Sequence, residues 1–254
     1  MELQDKTTLV QPTTLSRNMV DLGVVCPMAN EGDESVRFCR EVLEVCSGFR
    51  TITFFAVFDR SNKDSSWDQM RELERTEDRL RVIWAPENSC VADAYLRGYM
   101  EALDAGCDWI LEIDAGFSHQ PLEIPQFFDA MELGMDCVFG SRSLGCFKST
   151  SVRRRVISWS GTFLSNLLLG TKLTDMTSGF EMFSREALSF VINKGVRSRA
   201  HFFQTEIKTY CRNMRIIEVP ITYRAASPRV GSAELVDAIG QLRRLFQLRL
   251  KGQL

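Results

Sequence analysis

The chain lacks most of the features that would set it apart from an ordinary globular protein. Its eight cysteines include no Cys-x-x-Cys pair, which disfavours a zinc site and a disulfide framework and leaves reduced, cytosolic thiols as the expectation. No stretch reaches the roughly 18 consecutive apolar residues of a spanning helix. No basic segment followed by an apolar run opens the sequence, so neither secretion nor integration into a membrane is expected. Net charge is also missing: 31 Lys and Arg face 33 Asp and Glu, for −2 overall, and this balance points to no nucleic-acid partner. Acid is absent locally as well. Between Asp136 and Asp175 there is none, while Arg142, Lys148, Arg153, Arg154, Arg155 and Lys172 fall in that interval. The tail from Ile239 is again basic, with Arg243, Arg244, Arg249 and Lys251. Such runs are either solvated faces or places where an anion is held.

What is present fits one α/β domain: 254 residues, 44% of them hydrophobic, are enough for a large core. Residues 1–18 are polar and without periodicity, which predicts a mobile arm, and 19–254 read as a single domain. Apolar runs over 22–26, 51–58, 81–84, 109–114 and 137–140 alternate with amphipathic stretches over 34–46, 67–77, 91–105 and 124–133. That alternation predicts a mostly parallel sheet flanked by helices on both faces, with ligands at the carboxyl ends of the strands. A last amphipathic helix is predicted near 235–250, where Leu242, Leu245, Phe246 and Leu248 interleave with arginines.

The informative residues stand at those strand ends. Pro27-Met28-Ala29-Asn30-Glu31 follows the first run, Asp59-Arg60-Ser61-Asn62-Lys63-Asp64 the second, Glu87-Asn88 the third, and Asp114-Ala115-Gly116-Phe117-Ser118-His119-Gln120-Pro121 the fourth. Each alone is an ordinary loop composition. Four polar strand ends together are what a ligand-binding edge requires.

In this order the motifs resemble the family 2 glycosyltransferases of GT-A fold, and within them the polyprenyl-phosphate sugar transferases of the dolichol-phosphate mannose type. The resemblance runs from about Leu22 onward. It rests on the segments above, on Ala94 and Gly98 after Asn88, on Gly140-Ser141-Arg142, and on Arg153-Arg154-Arg155 with Ser158. Asp175-Met176-Thr177-Ser178-Gly179-Phe180 and Glu218-Val219-Pro220-Ile221 complete the series. It implies that Pro27, Asn30, Glu31, Asp59, Asn88 and Asp114 bind a nucleotide-sugar donor. It also implies that Arg142, Arg154, Ser158 and Arg229 hold the acceptor's phosphate, a task for which guanidinium forks are suited. Asp114, Arg142 and Asp175 are the expected catalytic residues.

Asp114 stands at the first position of the family's Asp-x-Asp, where a divalent cation, Mg or Mn, bridges carboxylate and diphosphate. The second position is Gly116, and Ser118 stands where a glutamine is frequent. Two readings remain open: a cation held by Asp114 and the diphosphate alone, or arginines in its place. Glu112 forms a Glu-x-Asp with Asp114 but belongs to a covered strand, and His119 is read as packing its loop.

The resemblance implies an inverting enzyme that moves a hexose from a GDP- or UDP-sugar to a polyprenyl phosphate, working as a peripheral protein at the cytosolic membrane face. Trp, Phe and Leu over 156–169 beside the arginine cluster suit an interfacial helix, and this stripe and that of the last helix suit core packing or a homo-oligomer contact as well. Transfer to a sugar hydroxyl of a surface polysaccharide is the alternative and would use Asp175 or Glu206 as base. A catalytically silent nucleotide-sugar binding module is the other.

Overall fold

The computed structural model describes residues 15–147, 152–224 and 232–254. Strand β1 (Asp21–Pro27) carries five consecutive buried residues, the mark of a strand covered on both faces. It lies between β2 (Thr51–Phe58) and β4 (Trp109–Glu112), parallel to each. The described strands form one seven-stranded sheet in the order β3-β2-β1-β4-β6-β5-β7, completed by β3 (Leu80–Trp84), β5 (Cys137–Phe147), β6 (Glu181–Ser184) and β7 (Ile216–Tyr223). Only β6 is reversed, antiparallel to both β4 and β5. The mostly parallel sheet expected from the sequence is therefore present, with its reversed strand set between β4 and β5.

Alternation along each strand sorts side chains into two cores. Leu22, Val24 and Cys26, with Phe54, Ala56 and Phe58, face α1 (Glu34–Val45), α2 (Ser66–Glu74) and α4 (Pro125–Glu132). Val25 and Phe55 face α3 (Val91–Asp104), α6 (Arg185–Lys194), α7 (Phe202–Cys211) and α8 (Ser232–Leu250). Helix α5 (Val152–Leu169) packs on α8. Gly98 lets α3 lie directly on the sheet, because a Cβ there would come within 2.3 Å of Val25 Cγ1. Ser184 caps α6 by accepting the Ala187 N–H at 3.2 Å.

Two sequence expectations change at the boundaries. The arm read over 1–18 is docked from residue 15: Leu15 packs on the core, and Arg17 donates to Glu132 (2.9 Å) and Asp129 (2.8 Å) of α4. Those acids lie more than a hundred residues away, so no local pattern announces the pairing; residues 1–14 fall outside the described part. Strand β4 stops at Glu112, so Asp114 stands on the loop and not within the strand.

Candidate active site

The loops after β1 and β2 brace one another. The Asn30 side chain donates to the Ser61 carbonyl (3.0 Å) and accepts the Lys63 N–H (2.7 Å), while Asp64 accepts the Gly32 N–H (2.9 Å) and Asn62 donates to the Ala29 carbonyl. Asn30 thus acts as a loop brace. Glu31 accepts the Ala29 N–H at 2.8 Å, and burial pushes its carboxyl above the usual range. Asp59 accepts the Ser61 N–H at 2.7 Å in an Asx turn at the end of β2. Asn88 keeps a buried side-chain nitrogen that has no hydrogen-bond partner among the described residues. Pro27 closes β1 beside these loops.

Asp114 is held from two directions. Its backbone N–H donates to His119 Nδ1 (3.3 Å), and its Oδ1 accepts the Tyr95 hydroxyl at 2.5 Å. His119 is buried, stacks on Phe180 (4.9 Å between centroids), and is pulled down to about 4 by burial, so it is neutral with Nδ1 as acceptor. This agrees with its reading as a packing residue. Gly116 adopts φ +68 and Phe117 φ +58, a left-handed pair that turns the loop back under Arg37, whose guanidinium lies 4.4 Å from the Phe117 ring centroid. A Cβ on Gly116 would meet nothing closer than Glu31 Cγ at 3.5 Å, so backbone conformation and not space disfavours a carboxylate there.

The donor set bears on the implied cation. Among the described residues no group of three acidic, His or Cys side chains could hold a metal. Asp114 offers one carboxylate, 37% exposed, with one oxygen already bonded to a phenol. These residues do not fit an ion held by protein alone. They fit a cation that keeps its other oxygen ligands from water and a diphosphate, the common magnesium arrangement.

The second half of the site is charged and closed. Arg142, at the middle of β5, donates its Nε–H to Asp175 Oδ2 (2.7 Å), and its terminal nitrogen donates to Asp175 Oδ1 (2.8 Å) and to Thr177 Oγ1 (2.5 Å). Ser158 on α5 shares a 3.1 Å hydrogen bond with the same Thr177 hydroxyl. Although burial works against its charge, the Arg142 guanidinium holds the Asp175 carboxyl well below the usual carboxylate range. The Tyr223 ring, 5.8 Å from the Arg142 guanidinium and 5.2 Å from the His119 ring, joins this half to Asp114.

Beneath both halves lies a buried polar cluster. Lys208, fully buried, donates to the Asp175 carbonyl (2.8 Å), the Ser178 carbonyl (3.1 Å) and the Ser178 hydroxyl (3.0 Å), and pairs with Glu181 at 3.0 Å. Glu112, opposite Glu181 in the β4–β6 register, accepts from Gln204 at 2.6 Å, and burial pushes its carboxyl above the usual range. Glu112 is therefore no partner for Asp114 in a metal site, as its covered strand led one to expect.

Of the residues singled out in the sequence, Asp114, Arg142, Ser158 and Asp175 stand at the sheet's carboxyl edge or the helix beside it. Arg154 lies on the backbone of α5, with its side chain outside the description, and Arg229 lies outside the described residues altogether. Two expectations for a base are not met by the geometry. Asp175 spends both oxygens on Arg142, and Glu206 is buried under Arg244, accepting from Tyr210 (3.0 Å), Ser198 N–H (2.8 Å) and Arg197 N–H (3.1 Å). Thr177, Tyr95 and Tyr223 were missed. Thr177 sits two residues past Asp175 and was visible in that motif, whereas Tyr95 lies in a helical apolar stripe that reads as core.

Comparison with known proteins matches residues 24–191 to the model of glycosyl transferase family 2. Relatives include an undecaprenyl-phosphate mannosyltransferase of Micrococcus luteus, 29% identical over 171 residues (66% of this chain, 70% of that one). A polyprenol monophosphomannose synthase of Mycolicibacterium smegmatis is 29% identical over 205 residues (79% and 76%). Among solved structures, glucosyl-3-phosphoglycerate synthase from Mycobacterium tuberculosis with Mn2+, uridine diphosphate and phosphoglyceric acid superposes with a TM-score of 0.63 at 18% identity, over 91% of this chain and 78% of that one. The same enzyme with Mg2+ and uridine diphosphate gives 0.61, at 18% identity over 91% and 79%. The fold is thus GT-A, and the chain belongs to glycosyl transferase family 2. It is a glycosyltransferase.

Proposed function

We propose that this enzyme transfers a hexose from a nucleoside diphosphate sugar, with GDP or UDP as the nucleotide, to a polyprenyl phosphate, with inversion and at a membrane surface. The observation that carries the reading is the Arg142–Asp175–Thr177–Ser158 cluster, an ion pair ringed by hydroxyls and linked through Tyr223 and His119 to Asp114. Two relatives named for polyprenyl-linked mannose transfer support it.

A phosphate acceptor is already an anion at neutral pH, so its oxygen can attack the sugar's anomeric carbon while the bond to the diphosphate breaks, without a strong base. That suits a site in which the nearest buried carboxylate, Asp175, is committed to an arginine. A single displacement inverts the anomeric carbon. In this role Arg142 orients the attacking phosphate, and Asp175 positions Arg142. Arg154 and Arg229 are assigned to the same phosphate by family resemblance. Pro27, Asn30, Glu31, Asp59 and Asn88 shape the nucleotide end, where the unpartnered Asn88 nitrogen offers a donor to the base or ribose. Asp114 would hold a Mg or Mn ion that arrives with the donor, which neutralises charge building on the leaving diphosphate.

An exposed apolar face of α5 supports the membrane contact in this reading. Val156, Trp159, Phe163 and Leu167 expose 56–67% of their surface along one face of that helix, and the Trp159 and Phe163 rings stack at 6.0 Å. Leu235, Val236 and Ile239 on α8 are equally exposed. The helix that presents this face also carries Ser158, so lipid tail and phosphate would be received by one element. Among the described residues no helix is long and apolar enough to cross a membrane.

A radiolabelled screen of GDP- and UDP-sugars against polyprenyl phosphates, phosphoglycerate and oligosaccharides tests the reading. Label extracted with lipid is the expected result. Label on a soluble acceptor alone would overturn the lipid assignment, and nucleotide binding without turnover on any acceptor would overturn transfer itself.

A further inference from the structure

Loss of the second carboxylate at Gly116 leaves Asp114 as the sole acidic group of its loop, so the direction of its two oxygens matters more than in a paired site. One of them is spoken for. Tyr95, on α3 and fully buried, places its hydroxyl 2.5 Å from Asp114 Oδ1. The ring is clamped between Tyr99 and Phe203, at 6.1 and 5.4 Å between centroids, and so has little freedom to follow a moving carboxylate. On the other side His119 Nδ1 accepts the Asp114 N–H. Backbone and side chain are thus tied to different elements, and Oδ2 is left without a hydrogen-bond donor among the described residues. A phenol is a neutral donor: it fixes the carboxylate without cancelling its charge.

We propose that Tyr95 is a positioning residue for sugar transfer, holding Asp114 through Oδ1 so that Oδ2 alone is presented to the donor's diphosphate and its cation. The inference rests on the role given above to Asp114. It assigns part of the missing ligand's task, that of fixing carboxylate geometry, to a residue of α3. Tyr99, one turn further along the same helix face, buries a hydroxyl that has no partner among the described residues, whereas the Tyr95 hydroxyl has Asp114.

The test is a cycle of Tyr95→Phe, Asp114→Asn and the double variant in the full chain. It reads kcat and KM for donor and acceptor, thermal midpoint, and the affinity for nucleoside diphosphate with and without Mn2+ by calorimetry. Tyr95→Phe is expected to lower kcat by about 10- to 100-fold, the scale of a hydrogen bond to a charged group. Acceptor KM should stay within about threefold, and the gain in nucleotide affinity produced by Mn2+ should shrink. The double variant should be no slower than Asp114→Asn, because the hydroxyl acts only through that carboxylate. Wild-type kcat and an unchanged Mn2+ effect in Tyr95→Phe, with Asp114→Asn inactive, would overturn the Tyr95 assignment alone. Full activity of Asp114→Asn would instead remove the reading on which it rests. Multiplicative losses in the double variant, or an unfolded Tyr95→Phe, would also overturn it, since the hydroxyl would then serve the fold and not Asp114.

Discussion

In the loops proposed to hold the donor, the polar groups of residues 27–31 and 59–64 bond mainly to the backbone of each other's loops, whereas at the proposed acceptor site Arg142 and Asp175 meet as ions with side chains 14% and 1% exposed. The first arrangement is cheap to adjust, because each loop hydrogen bond contributes about 1 kcal/mol and water can replace it. The second is not. Two desolvated charges are tolerable only while both are present, so the Arg142–Asp175 pair is rigid at the cost of burying ions. The contrast suits the proposed ligands: a large donor threaded among four strand ends, and a small anion held at one point beside the reacting carbon.

The sharpest way to break this comparison is Arg142→Ala. It leaves Asp175 as an uncompensated buried charge and should destabilise the protein by about 3–5 kcal/mol in urea denaturation, while abolishing transfer. A loss of under about 1 kcal/mol would mean that the acceptor half is not the rigid one. Asp114→Asn should show the opposite balance. Transfer should fall at least about 100-fold, as for other electrostatic groups at a reacting centre, with stability within about 1 kcal/mol, because the side chain is 37% exposed and an amide oxygen can still accept from Tyr95.

His119 sits between the halves and supplies a pH test. Its folded value, about 4, lies below the ordinary 6.5, so the unfolded chain takes up a proton that the folded chain refuses. Its contribution is therefore present above about pH 6.5 and is lost as pH falls toward 4, by up to about 3 kcal/mol. His119→Phe should flatten the decline in thermal midpoint over that window; an identical slope would show that the ring is not held neutral. The smallest effect is expected for Gly116→Asp. There is room for the side chain, but φ +68 costs an L-residue about 1 kcal/mol, less for Asp than for most. In return, Mn2+ binding in calorimetry should tighten, and unchanged metal affinity would show that position 116 does not face the cation.

Much of this was legible beforehand. The helices over 34–46 and 91–105 and the strand over 51–58 were read almost to the residue, because period-3.6 and continuous apolar patterns are local properties. Asp114, Arg142, Ser158 and Asp175 were visible as residue types in motifs. Their relations were not. Nothing local says that Asp175 would spend both oxygens on Arg142, 33 residues earlier, or that Lys208, a helix lysine ordinarily left in water, would be fully buried under the acceptor loop. Tyr95 was hidden for the same reason: its partner lies 19 residues away on another element.

The sequence by itself determined the architecture class, the edge of the sheet where chemistry resides, and the missing second carboxylate, because each depends on the order and periodicity of neighbouring residues. Tertiary structure alone decided the reversed β6, the docking of Arg17 on α4, and the division of carboxylates into one half-buried at Asp114, one ion-paired at Asp175 and one buried against Gln204 at Glu112. A carboxylate's role depends on its solvation and on the charges within a few ångströms, and both are set by elements far apart in the chain that meet only once it has folded.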